Sequence, residues 1–310
     1  MLRYTLTRLL QGVITIWFIA TATFVAMHAV PGDPLSGAKA MTTDMRHNLE
    51  VKYGLDKPVG QQYLIYMNNL AHGDLGISFT QKNRSVNDII REHFPVSAAL
   101  GILAIVFAAL GGILFGALTA LYRNKWPDTV IMLMVILGIS VPSFVFAAFA
   151  QLAVVKLNSA FGISLLPVAG WGTVKHMILP ALVLGLGTMA YLTRLMRSSM
   201  LEIVNADFIR TAKAKGLPAT RIFTRHQLRN AILPVITVLG PAIAAITTGS
   251  FVVELVFAIP GLGRYFVQAV QQLDYTVIMG TTVFFGAFLV LMVIIVDLLY
   301  GLIDPRVRVN

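Results

Sequence analysis

The sequence contains no cysteine. Disulfides, thiol nucleophiles and cysteine-ligated metals are therefore excluded. Charge is scarce: Asp, Glu, Lys and Arg make up 12% of the 310 residues, against about 25% in an ordinary soluble domain. No Gly-x4-Gly-Lys-Ser/Thr run is present, so the usual phosphate-cradling loop for ATP is missing. His-Glu-x-x-His and Gly-x-Ser-x-Gly are also absent. The six histidines (His28, His47, His72, His93, His176 and His226) are scattered rather than set at metal-ligand spacing. They read as interfacial or capping residues. Nothing in the chain points to catalysis of its own, or to a cofactor held by it.

What fills the sequence instead is apolar length. Hydrophobic residues make up 57% of the chain and the mean hydropathy is +0.77. Leu9 to Val30 is an almost unbroken apolar run. At 1.5 Å per residue it reaches about 33 Å, enough to cross a hydrocarbon core of roughly 30 Å. It reads as a retained span rather than a cleaved signal, because the small-residue pair Ala20 and Ala22 lies inside the run. Further spans are expected at Val96–Tyr122, Thr129–Val155, Met177–Leu195, Ile232–Phe257 and Thr276–Ile303. The third is interrupted at Val141-Pro142-Ser143, where proline frees a backbone carbonyl. The fold class is thus an all-α membrane protein of six transmembrane helices.

Residues 31–95 form a polar segment with seven basic and seven acidic residues. Balanced charge and several aromatics predict a small folded cap between spans one and two, not disorder. Val59–Leu70 has helical periodicity, with Tyr63, Tyr66, Met67 and Leu70 on one face. Asp88–Phe94 reads as a second short helix lying flat before the membrane. The chain then divides into residues 1–30, the cap at 31–95, and a five-helix core at 96–310.

The formal charge of +10 reflects topology more than nucleic-acid binding, since the basic residues flank apolar spans. With both termini inside, the inner segments hold 14 Lys and Arg and the two short outer loops hold 3. The long outer segment counts for little. Both termini and the Arg194–Pro234 loop are therefore expected in the cytoplasm, and the cap outside. Within the spans the acidic residues are Glu254, near the outer end of span five, and Asp297, in the inner part of span six. Ion-coupled carriers usually hold charge near the membrane centre, and neither residue is central. Glu254 is expected to pair with Arg264 or to face a path near an outer gate. Asp297 is expected to pair with Arg3, Arg8 or Arg194 at the inner surface, or to transmit movement.

The loop is the informative stretch. Eight Lys and Arg stand there against Glu202 and Asp207, and Gly216-Leu217-Pro218 breaks two helical patterns. Ala212-x3-Gly216-x9-His226-x-Leu228 resembles the cytoplasmic loop of bacterial ABC-transporter permeases, E-A-A-x3-G-x9-I-x-L-P. Arg210, Thr211, His226 and Arg229 depart from that pattern. The wider run, Asp207 to Gly216 with Arg225-His226-x-Leu228-x-Asn230-Ala231, is similar to the peptide-importer branch. Pro31-Gly32-Asp33-Pro34, Tyr53-Gly54-Leu55-Asp56-x-Pro58, Gly73-Asp74-Leu75-Gly76-x-Ser78, Val253-Glu254-x-x-Phe257-x-x-Pro260-Gly261-Leu262-Gly263 and Asp297-x-x-Tyr300-x-x-x-Asp304-Pro305-Arg306 are similar to the B-type permease subunit of that branch, in order, over the whole chain.

The resemblance implies a type I ABC-importer permease fold in a bacterial plasma membrane. It implies a homologous second permease, two cytoplasmic ATPase subunits that bind ATP and Mg, and an extracytoplasmic substrate-binding protein. The coupling loop, about 197–231, would carry Asp207, Arg210, Ala212, Gly216, Arg221, Arg225, His226, Leu228 and Asn230. Its apolar face (Ala212, Leu217, Ile222, Phe223) would seat in an ATPase groove. A side chain at Gly216 would obstruct the helix break. The cargo would be a dipeptide or oligopeptide, with glutathione, a nickel chelate or an ion-coupled carrier as alternatives.

Overall fold

The computed structural model describes residues 2–30, 47, 50–51, 54–81, 84–162, 166–247 and 251–303, without the side chains of 2–4 and 296–303. Every named element in the described residues is helical. They fall into two compact units: Met1–Val96 with Gly261–Asn310, and Ser97–Pro260.

In the first unit, α1 (Leu2–Ala29) packs on α12 (Tyr275–Ile303). The two run antiparallel, with Gly12 against Val290 and Ile294, and Gly286 against Ile19. Glycines let the backbones approach where lipid supplies no hydrophobic drive. The cap helix α2 (Val59–Ala71) lays Tyr63 and Tyr66 on Phe24 of α1, and Thr21 Oγ1 meets the Tyr63 hydroxyl at 2.7 Å. That is the aromatic face expected from the sequence. The Pro31–Pro34 turn lies outside the described residues.

Residues 88–94 are not a separate flat helix. They open α3 (Val86–Leu121), which continues through Pro95. The start is set at Ser85, whose Oγ accepts from the Asp88 N–H at 3.0 Å and donates to the Asp88 carboxylate at 2.6 Å. The hydroxyl thereby satisfies the Asp88 amide, one of the first-turn donors. Asp274 fixes the other side of the cap. Its carboxylate, 1% exposed, accepts from Ser78 Oγ, Thr80 Oγ1 and the Phe79 and Thr80 amides. It also receives the Val277 N–H at the head of α12.

In the second unit, α3 runs parallel to α6 (Val174–Val204). Gly112 faces Leu192, Gly116 faces Met196, and Gly185 faces the Ala104 carbonyl. A Cβ at Gly116 would lie 2.5 Å from the Met196 Cβ and 2.7 Å from the Thr193 carbonyl. The expected third span is two helices, α4 (Trp126–Ser140) and α5 (Ser143–Phe161), broken at Val141-Pro142. They follow α6 in one direction. Asp128 is opposite Arg197, Gly138 is opposite Ala190, and Gln151 bonds the Val168 carbonyl ahead of α6.

The expected fourth span does not stop at Leu195 but continues as helix to Val204. Next come α7 (Asp207–Ala214) and α8 (Ala219–Ala231). Then α8 meets α9 (Leu233–Thr247) at a bend of 44°. α10 (Phe251–Val256) closes this unit, and α11 (Leu262–Gln271) returns to the first. Among the described residues five helices are long and apolar enough to cross a membrane, or six if the bent α8–α9 pair is one span.

Candidate functional site

The candidate site is the helix-turn-helix between α6 and α9. α6 ends when Ala206 N–H bonds the Ile203 carbonyl at 3.0 Å. Asp207 then stands in the first turn of α7, where a negative charge suits the helix dipole. Arg210 reaches it at 3.6 Å, both side chains being exposed. Such a surface pair contributes little to stability.

α7 ends in a Schellman motif. Gly216 N–H bonds the Lys213 carbonyl at 2.9 Å and Leu217 N–H bonds the Ala212 carbonyl at 3.3 Å. Gly216 takes φ +71°, a conformation that L-residues rarely hold. No atom lies within 4 Å of a Cβ built there. Glycine is therefore required by backbone conformation, and the expected obstruction by a side chain is not found. Leu217 completes the motif by packing on Ile209, Ala212 and Ile222.

That packing corrects a second expectation. Ala212 and Ile222 are each 5% exposed and Ile209 is fully buried. With Leu217 they form the loop's own core, not an apolar face offered outward. Phe223 and Leu228 pack on the cluster that holds Leu192, Met196, Met200, Ala231 and Val235. The motif residues Ala212, Gly216 and Leu228 thus build the loop and seat it on α6 and α9. What faces outward is basic: Arg210, Lys213, Lys215, Arg221, Arg225 and Arg229 are exposed, together with Phe208. His226 is half-buried, and its carbonyl accepts from Asn230 Nδ2 at 2.6 Å. α8 is wound as a π-helix from Ile222 to Leu228, a rare form often found at functional positions.

Glu254 sits on α10, fully buried, and accepts from Ser97 Oγ at 2.7 Å. Ser97 carried no signal in the sequence, being one hydroxyl in an apolar run. Arg264 is carried by α11 in the other unit. The side chain of Asp297 lies outside the described residues. Among the described residues, no group of three or more His, Asp and Glu side chains converges as a metal site requires.

Sequence reading also missed Asp128, which is 5% exposed. Arg197 Nε and Nη2 donate to its two oxygens, each at 2.9 Å. Asn124 N–H donates to Oδ2 at 3.0 Å. The Trp126-Pro127-Asp128 helix start was the available signal.

Residues 1–101 match the N-terminal family described as binding-protein-dependent transport system membrane component. Residues 112–309 match the family described as binding-protein-dependent transport system inner membrane component. The dipeptide transport system permease protein DppB of Bacillus subtilis is 45% identical, covering 100% of this chain and 99% of the relative. The oligopeptide transport system permease protein OppB of Haemophilus influenzae is 43% identical, covering 99% and 100%. That of Salmonella typhimurium is 41% identical over the same shares. The all-helical, multi-span architecture agrees with these matches along the whole length, and the chain belongs to the inner-membrane component family of binding-protein-dependent transport systems.

Proposed function

We propose that this chain is the permease subunit of an ATP-driven importer that moves dipeptides or oligopeptides into the cytoplasm. The observation that carries the reading is full-length identity above 40% to permeases named for dipeptide and oligopeptide transport. The chain works with a homologous second permease, two ATPase subunits that hold ATP and Mg, and an extracytoplasmic binding protein. Both termini and the 207–231 loop face the cytoplasm, and the cap faces outward.

The loop supports this reading physically. Its own apolar core and its seat on α6 and α9 make it a stiff knob. Its exposed Arg and Lys, with Phe208, suit an acidic rim around a groove on an ATPase subunit. Closure of the ATPase dimer on ATP then pushes the knob and swings α6 and α9 together. Glu254 serves near an outer gate, and Asp297 at the inner surface.

The test is uptake of labelled peptides of graded length into vesicles holding this chain with its partner permease and ATPases. Binding protein is supplied outside and ATP inside. Uptake that requires both is the expected result, and the length dependence identifies the cargo. Competition by glutathione or a nickel chelate instead of peptide would change the cargo assignment. Uptake indifferent to ATP and driven by a proton gradient would overturn the importer reading.

A further inference from the structure

One charged contact between helices of the second unit lies on α6, in the part of the expected 197–231 loop that is still helix, ahead of α7. Arg197 stands seven residues before the end of α6 at Val204, about 10 Å along the axis at 1.5 Å per residue. α7 begins three residues later, at Asp207. Arg197 grips Asp128 with two parallel bonds of 2.9 Å. Two parallel bonds from a planar guanidinium fix orientation as well as distance.

The same carboxylate receives the Asn124 N–H. Asn124 has φ +62°, in the turn between α3 and α4. One carboxylate therefore ties the turn between α3 and α4, the start of α4 and the last third of α6. Farther along, Gly138 of α4 lies against Ala190 of α6, so the clamp and the close packing keep two separate points of α4 in register with α6.

We infer that Asp128 and Arg197 are positioning residues for transport, a clamp that makes α4 follow α6 when the 207–231 loop is displaced. The inference rests on the coupling role proposed for that loop. Without the clamp, motion of the loop turns α6 about its axis and slides it past α4, and the displacement is not passed on. Removing one partner leaves a charge uncompensated in a nearly buried place, whereas removing both charges does not. Stability and coupling can therefore be separated.

The experiment compares Asp128→Asn, Arg197→Gln and the double variant in vesicles holding the full complex, with labelled peptide as probe. The readouts are thermal stability of the assembled complex and peptide taken up per ATP hydrolysed. Each single variant is expected to lower both. Coupling between sites typically spans factors of about 5 to 150, so uptake per ATP should fall about fivefold or more. In the double variant, the amide oxygen introduced by Asp128→Asn still accepts the Asn124 N–H and no charge is stranded. Its stability should recover while uptake per ATP stays as low as in the single variants. Recovery of both together, or normal uptake per ATP in the single variants, overturns the clamp as a positioning device. Gly216→Pro is run alongside. If it leaves uptake per ATP normal, the coupling role of the loop fails. If it uncouples while the Asp128 and Arg197 variants do not, only the clamp fails.

Discussion

Gly216 gives the sharpest test of how the loop is built. Its φ of +71° places it in the left-handed region, at the residue after the α7 C-cap. An alanine there costs about 1–2 kcal/mol of backbone strain. It adds no clash, because no atom lies within 4 Å of the new Cβ. A change of that size shifts a local equilibrium by a factor of about 5–30. The amides of Gly216 and Leu217, bonded to Lys213 and Ala212, report it directly. Hydrogen exchange at these amides should rise by that factor in Gly216→Ala. Asparagine tolerates the left-handed region better than alanine although it is larger. Gly216→Asn should therefore exchange more slowly than Gly216→Ala, and Gly216→Val, which is β-branched, fastest of all. If exchange instead follows side-chain volume, with Asn worse than Ala, obstruction governs the site and the conformational argument is refuted.

Three further outcomes follow from the cap and the second unit. Among the described residues the Tyr66 hydroxyl is a buried oxygen with no hydrogen-bond partner, so Tyr66→Phe should leave the denaturation midpoint at pH 7 unchanged or raise it, an unsatisfied group being worth about 1 kcal/mol or more. Burial, with Tyr63 nearby, pushes the phenol up to about 12. The unfolded chain ionises near 10, so between pH 10 and 12 the unfolded state gives up a proton that the folded cap keeps. Stability falls across that window, and less steeply in Tyr66→Phe; equal slopes would contradict the assignment. Asp274→Ala removes the acceptor shared by Ser78 Oγ, Thr80 Oγ1 and the Phe79 and Thr80 amides, a cost of about 1–3 kcal/mol, and should speed proteolysis within 72–81; an unchanged cleavage rate would show that the carboxylate does not hold the cap. Glu254→Gln keeps an acceptor for Ser97 and should alter peptide uptake with assembly intact, whereas loss of assembly would make Glu254 a packing residue.

Much of the fold was legible because its causes are local. A hydrocarbon core demands apolar length, and that length is written as uninterrupted runs such as those in α1, α3 and α12. Pro142 and Gly216 break helices through their own φ preferences, so the α4–α5 break and the α7 stop could be read directly. The ordered sequence blocks identified the family for the same reason: each is a local string.

Tertiary structure decided which way the side chains turn. Helical periodicity gave the loop an apolar face but not its direction. The packing of Leu217 on Ile209 and Ala212 turned that face inward and left the basic residues outside. Asp128 and Arg197 are 69 positions apart, Ser97 and Glu254 157, and Ser78 and Asp274 196. The first two pairs form only when two helices take one rotation about their axes, and the third only when two connecting turns meet. Close contacts such as Gly116 on Met196 and Gly101 on Thr247 set that rotation. Composition and spacing carry no record of it, because a helix buries whichever stripe its neighbours leave room for.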